Sequence, residues 1–386
     1  MKYLLVFFFL ISSFPCRDAF SAEVIWQTKN AWNESWEEKF GQWISASVDD
    51  DFFSKNNIET DCADAMVGLR WIFARNNSLP AANMIEGSND LFGNFSMKKD
   101  WRNLPTSSDW KQDKLFLKAL RYVMDETSTR SIDGDGYPVK LTREGLHPGT
   151  YIITKADDSR HTRIITSSDF STPAVLPFLT KSSTTPAALR NLFQEILIDQ
   201  EWPSPEKKII LSFRWPVRSG SKWVLLSPEK HPQYSREQFD PALEHENPSF
   251  IKFLIDRTKS DFDPINLIEL GINDIKKSLQ LRILIVDEGY KYCIDYDCHQ
   301  GSKGFDDWST YERDSKIVHK FNDFKNLMDQ YVNEHPELEK EWTEALVNNK
   351  ITVLNKEITL FDIRELFINK KVSSYPLDTP ELRWGL

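Results

Sequence analysis

Apolar residues recur along residues 62–75 with the spacing i, i+1, i+4, i+7 and i+8, which places them on one face of a helix. These residues are Ala65, Met66, Leu69, Ile72 and Phe73. Thr60 and Asp61 are both good N-cap residues, and Asp64 lies in the first turn, where the helix dipole favours an acidic side chain. The pattern therefore predicts a helix that begins near Cys62 and turns its apolar face to a core.

A β-hairpin is predicted farther along the chain. Two stretches rich in β-branched residues, 149–154 and 161–166, flank a polar turn, and His161 opens the second stretch. Two more strands are predicted over 209–216 and 222–226. The hairpin places His161 at the start of a strand.

The remaining pattern is mainly helical. Amphipathic stretches predict helices over 110–125 and 185–200, and the chain becomes helical and charged beyond about residue 245. A Pro-rich segment at 201–205 suggests a corner or linker. We therefore expect an α+β protein with a core region over 22–200, interpreted below as a thiol hydrolase core, and a strand-then-helix accessory region over 201–386. The sequence leaves open whether the accessory region packs on the core.

The first residues predict an export signal over 1–21. Lys2 precedes a run of nine apolar residues, 3–11, which is too short to cross a bilayer, and a small-residue exit follows at Ala19-Phe-Ser21. Cys16 offers a lipid-anchor alternative, against which Pro15 argues. We expect an exported protein, periplasmic or secreted, without stable membrane insertion.

Composition narrows the class of partner. The chain has 386 residues and a formal charge of −10, with 40% hydrophobic residues. This apolar fraction excludes wholesale disorder, and the acidic balance argues against nucleic-acid binding, which needs a basic face. The sequence leaves the oligomeric state open.

The cysteines divide into a pair and a single residue. Cys293 and Cys298 are spaced so that they can close a small disulfide loop in an oxidising compartment. If 1–21 are removed, Cys62 has no partner, and an odd cysteine in an exported protein is an intermolecular linker, a reactive thiol or an inert buried residue.

No second ligand pair at zinc spacing and no Gly-rich phosphate loop occurs, so we expect neither a metal nor a cofactor.

The position of Cys62 favours the reactive alternative. Unpaired backbone N–H groups at a helix N-terminus lower a thiol pKa and can stabilise an oxyanion. Asp61 and Asp64 oppose thiolate formation, so a basic partner is needed. Of the seven histidines, His161 is the best candidate because it opens a predicted strand; its alternative is a rim histidine with a structural hydrogen bond.

The segment Asp61-Cys-Ala-Asp64 at a helix start, followed by His161 on a strand, resembles the papain-like cysteine peptidase superfamily, in particular its transglutaminase-like and NlpC-type bacterial branches. The resemblance covers about residues 40–185. It implies a papain-like core in which a nucleophile helix packs on a small antiparallel sheet, with Cys62 as nucleophile and His161 as base.

Two further roles have candidate residues. Asp169 is the first candidate to orient the imidazole, and the weaker candidates for this role are Ser171, Thr180 and Ser182. Gln42 is a candidate donor to the oxyanion hole; its alternative is a surface glutamine.

The resemblance implies an exported hydrolase that cleaves an amide bond in a peptide or in peptidoglycan. A transglutaminase or acyltransferase would use the same Cys-His pair. A non-catalytic exported binding protein that retains the fold is the alternative from a different class.

Overall fold

A computed structural model describes residues 23–88, 90–156, 159–167, 179–183, 192–196, 201–258 and 263–386. The described helices are α1 Glu34–Ser47, α2 Phe52–Lys55, α3 Cys62–Asn76, α4 Lys114–Asp125, α5 Ser131–Gly134, α6 Pro241–Glu246, α7 Phe250–Thr258, α8 Asn266–Asp295, α9 Lys303–Trp308, α10 Tyr311–Asp329, α11 Leu338–Asn348, α12 Leu360–Ile368 and α13 Pro380–Trp384. The described strands are β1 Ala82–Met84, β2 Leu91–Gly93, β3 Gly136–Pro138, β4 Tyr151–Ala156, β5 Ser159–Ser167, β6 Leu179–Ser183, β7 Leu192–Glu195, β8 Lys208–Phe213, β9 Pro216–Ser219, β10 Lys222–Leu225, β11 Lys350–Val353 and β12 Lys356–Thr359.

Helix α3 begins at Cys62, as the sequence predicts. The Asp61 carboxylate accepts hydrogen bonds from the backbone N–H groups of Ala63 and Asp64 at 2.8 and 2.9 Å. The Asp64 side chain in turn accepts from the Asp61 N–H at 3.1 Å, which completes a capping box. Because the cap fixes where the helix starts, Cys62 occupies its first turn.

The central element of the fold is a six-stranded antiparallel sheet with the strand order β3-β8-β4-β5-β6-β7. The predicted hairpin is confirmed as β4 and β5, with Thr154 paired with His161 and Tyr151 paired with Ile164. Helix α3 packs against β5 and β6. The α+β class is therefore confirmed.

The two faces of the sheet have separate cores. Ile153 and Ile164 pack in the cluster that includes α3, whereas Ile152 and Ile165 pack in a second cluster with α7. This division follows from the alternation of side chains along a strand.

The boundary that the sequence suggests at residue 200 is wrong for the sheet. Strand β8 lies between β3 and β4, so residues beyond 200 complete the same sheet as the predicted hydrolase core. Ile209 and Leu211 pack in the α3 cluster, and Trp215 joins it after the strand. A local sequence pattern identifies β8 as a strand but cannot show which strands it pairs with.

The C-terminal half is largely helical, as predicted. Helices α8, α10, α11 and α12 enclose a separate apolar core. Arg282 on α8 forms a buried ion pair with Asp314 on α10 at 2.6 Å. Ile196, which follows β7, packs in this same core and links the sheet to the helices.

The helix predicted over 185–200 is wrong in its described part, where Leu192–Glu195 forms β7. The strand pairs with β6 along its length. The backbone N–H of Ile196 donates to the buried Asp274 at 3.1 Å. Tertiary partners therefore override a helical pattern at the sheet edge.

The predicted disulfide between Cys293 and Cys298 is confirmed, with Cα atoms 5.6 Å apart. This bond fits export to an oxidising compartment. The predicted signal over 1–21 lies outside the described residues. None of the helices in the described part is both long and apolar enough to cross a membrane.

Candidate active site

One cavity of about 880 Å³ lies between the sheet and the C-terminal helices. Cys62, His161 and Glu195 line it from the side of α3 and the sheet. Residues of α8, α9 and α10 line the opposite side. The structure therefore brings the two principal predicted residues, Cys62 and His161, to one cavity.

Cys62 is half-buried at the start of α3 and is a free cysteine. Burial raises the pKa of its thiol, and the negative charge of Asp61 raises it further. Hydrogen bonds to the thiol lower its pKa in part; they come from the backbone and side chain of Thr162 and from the backbone of Ala63. The net effect favours a neutral thiol in the resting protein.

His161 lies in β5 with its Nε2 atom buried and without a hydrogen-bond partner among the described residues. Burial lowers the pKa of His161 well below its ordinary value, and the positive charge of Arg163 lowers it further; Glu195 opposes these effects. The imidazole is therefore neutral near pH 7, with a ring nitrogen able to accept a proton. The Nε2 atom itself therefore makes no structural hydrogen bond to the described residues.

Cys62 and His161 approach the cavity from different sides of β5. Alternation places Thr162, the neighbour of Cys62, on the face that packs on α3, and places His161 with Arg163 on the other face. Within the described residues, no hydrogen bond joins the thiol and the imidazole. The structure thus shows a shared cavity without a formed Cys-His hydrogen bond.

Glu195 is the site residue that the sequence analysis missed. It is hydrogen-bonded and ion-paired to Arg163, whose Nη1 also donates to Thr154 Oγ1 at 3.1 Å. Burial opposes ionisation of Glu195, but the positive charge of Arg163 holds its pKa well below the ordinary range. No sequence signal identified Glu195, because its segment carries a helical pattern.

In the described part of the chain, the remaining residues that the sequence suggested for the site have no observed hydrogen bond with the Cys62 or His161 side chains. Asp169 and Ser171 lie outside the described residues. Thr180 and Ser182 use their hydroxyls to donate to the backbone oxygens of Glu195 and Thr162, each at 2.6 Å. Their observed contacts therefore hold neighbouring strands together.

Gln42 is exposed on α1 and donates to Glu38 at 3.3 Å. It is not among the residues that line the cavity. Its observed position matches the surface alternative, so it has no part in the mechanism below.

No protein-family model, curated protein sequence or solved structure matches the chain. Within the described part, no group of three or more His, Cys, Asp or Glu side chains is arranged to hold a metal ion. The interpretation of the site therefore depends on the chemistry of its own side chains.

Proposed function

We propose that the protein is an exported cysteine hydrolase that cleaves an amide bond of a peptide, with cell-wall peptide as the favoured substrate. The observation that carries the proposal is the presence of Cys62 and His161 in one cavity. A helix that starts at Cys62 and packs on an antiparallel sheet containing His161 is the arrangement expected of a papain-like core.

In the proposed reaction, Cys62 Sγ attacks the carbonyl carbon while His161 takes the thiol proton. The negative oxygen of the tetrahedral intermediate is stabilised by backbone N–H groups at the start of α3. The intermediate collapses to a thioester, and the leaving amine receives the proton from His161. Water then attacks the thioester with His161 again as base, which releases the acid and restores the thiol.

The resting pair is neutral in this mechanism. The pKa of Cys62 is raised and that of His161 is lowered, so both shifts disfavour a thiolate–imidazolium pair. Proton transfer therefore accompanies the attack on bound substrate instead of preceding it. The imidazole must also reach the sulfur when substrate binds, since catalytic hydrogen bonds often form only in the substrate complex.

A non-catalytic binding protein is the second candidate. The raised thiol pKa and the missing Cys62–His161 hydrogen bond favour it, because an inert cysteine needs neither activation nor a base. Transfer of the acyl group to an amine would use the same thioester and is separated from hydrolysis only by its products.

The test combines labelling with turnover. We expect iodoacetamide to modify folded protein at Cys62 and peptidoglycan fragments to be cleaved by the wild type. Cys62→Ser should lose more than about 99% of this activity, because a serine hydroxyl ionises far less readily than a thiol and is a much weaker nucleophile at a site built for sulfur. His161→Ala should slow both labelling and turnover.

The matched control is His245→Ala, an exposed histidine on α6 that does not line the cavity. It should behave as wild type. Labelling that occurs only after unfolding, together with no cleavage, would leave the binding protein as the correct assignment.

A further inference from the structure

The cavity has a second wall that the proposed chemistry does not use. Helices α8 and α10 contribute four cationic residues to its lining. These residues are Lys277, Arg313, Lys316 and Lys320. They face a cavity whose other wall carries Cys62 and His161.

Two of the lysines on this wall have partners within the protein. Lys277 donates to Gln194 at 2.7 Å, and Lys320 forms an ion pair with the buried Asp274 at 2.6 Å. Lys316, by contrast, forms no hydrogen bond or ion pair within the part of the chain that the structure describes. It is accessible to solvent inside the cavity.

The charge around Lys316 is not balanced locally. Two acids act on Lys316: Glu195, which is already paired with Arg163, and Glu312, which lies one turn away on the same helix next to Arg313. Surrounding protein lowers the pKa of Lys316 by desolvation, with Glu195 and Glu312 opposing this effect. The positive charges of Lys316 and Arg313 also reach His161. Since Arg163 and Arg313 offset Glu195 and Glu312, the ammonium of Lys316 is left as the uncompensated charge in this partly desolvated part of the cavity, which favours an anionic group.

We infer that Lys316 binds a carboxylate of the substrate peptide and so makes the enzyme selective for acidic peptides. A single ammonium group matches the single charge of a carboxylate, and a cavity of about 880 Å³ is large enough for a short peptide. The inference rests on the proposed function because it concerns the same cavity. Lys316 has a specificity role and takes no part in the bond-breaking step.

Binding can be measured without turnover in a Cys62→Ala background. The probes are a cell-wall stem tetrapeptide with free carboxylates and the same peptide with its carboxylates methyl-esterified, each titrated by calorimetry. We expect the ester to bind at least about tenfold more weakly, because a charge-assisted contact in a partly desolvated cavity is lost. Lys316→Met should weaken binding of the free acid by a similar factor and leave the ester unchanged.

The matched control is Lys325→Met. Lys325 lies on the same helix, does not line the cavity and pairs with the exposed Asp329. It should bind both probes as the Cys62→Ala protein does. Both lysine variants should retain the thermal midpoint, since neither residue is buried.

Equal binding of acid and ester, an equal loss for both probes in Lys316→Met, or no binding of either probe would overturn the inference. Failure of the proposed function is seen separately, as wild-type protein that binds the free acid through Lys316 but releases no product.

Discussion

At the residue scale, Cys62 is subject to two opposed electrostatic effects. Its position at the start of α3 gives it the backbone N–H groups that stabilise a thiolate, while its neighbour Asp61 destabilises one. Asp61 is nevertheless needed, because its carboxylate caps the helix. The residue that places Cys62 at the start of the helix thus also disfavours its thiolate.

Asp61→Asn separates these two effects. Asparagine caps a helix about as well as aspartate, whereas loss of the cap in Asp61→Ala should cost about 1 kcal/mol. Removal of the negative charge should lower the pKa of Cys62, since Asp61 is one of the causes of its rise. The pH dependence of iodoacetamide labelling should therefore shift to lower pH in Asp61→Asn. An unchanged pH profile would show that burial alone sets the thiol pKa.

At the element scale, the site depends on the edge of the sheet. Strand β7 supplies Glu195, which pairs with Arg163 on β5, although β6 lies between the two strands. The helical pattern of residues 185–200 concealed this strand, because propensity is a local quantity and pairing with β6 is not. Helix α3 and the β4–β5 hairpin were predictable for the opposite reason: a cap and a turn specify them locally.

Glu195→Gln tests the contribution of this pair. The change keeps the shape but leaves the buried guanidinium of Arg163 without a counter-charge, so we expect a loss of about 1–3 kcal/mol in unfolding free energy. Urea denaturation measures this loss. The double variant Arg163→Met/Glu195→Met should recover much of the stability, since no unpaired charge remains. A double variant less stable than Glu195→Gln would contradict the role given to the pair.

At the scale of the whole molecule, strands from both halves of the chain meet in the central sheet. His231, which follows β10, stacks on Tyr137 of β3 with ring centroids 4.0 Å apart and contacts Trp215. Its ring is buried away from solvent. Burial lowers the pKa of His231 from 6.5 to about 4. This buried ring makes global stability dependent on pH.

The direction of this pH dependence follows from proton uptake by the unfolded chain. Between pH 6.5 and about 4, the unfolded chain binds a proton at His231 that the folded chain does not bind, so acid favours unfolding. His231→Phe should therefore lose less stability than wild type as the pH falls through this window. Thermal melts at pH 7, 6, 5 and 4 measure the difference, with the exposed His245→Phe as control. Parallel pH profiles for wild type and His231→Phe would exclude His231 as the cause.

The sequence by itself determined the features that local chemistry fixes: the capped helix at Cys62, the hairpin that contains His161, the short disulfide loop and the helical C-terminal half. Only the tertiary structure decided that β8 completes the central sheet, that β7 brings Glu195 to Arg163, and that α10 places Lys316 across the cavity from Cys62. Caps, turns and short loops are formed by residues that are close in the sequence, so a short segment is enough to predict them. Strand partners and cavity walls join residues far apart in the chain, and the packing of the whole core selects them.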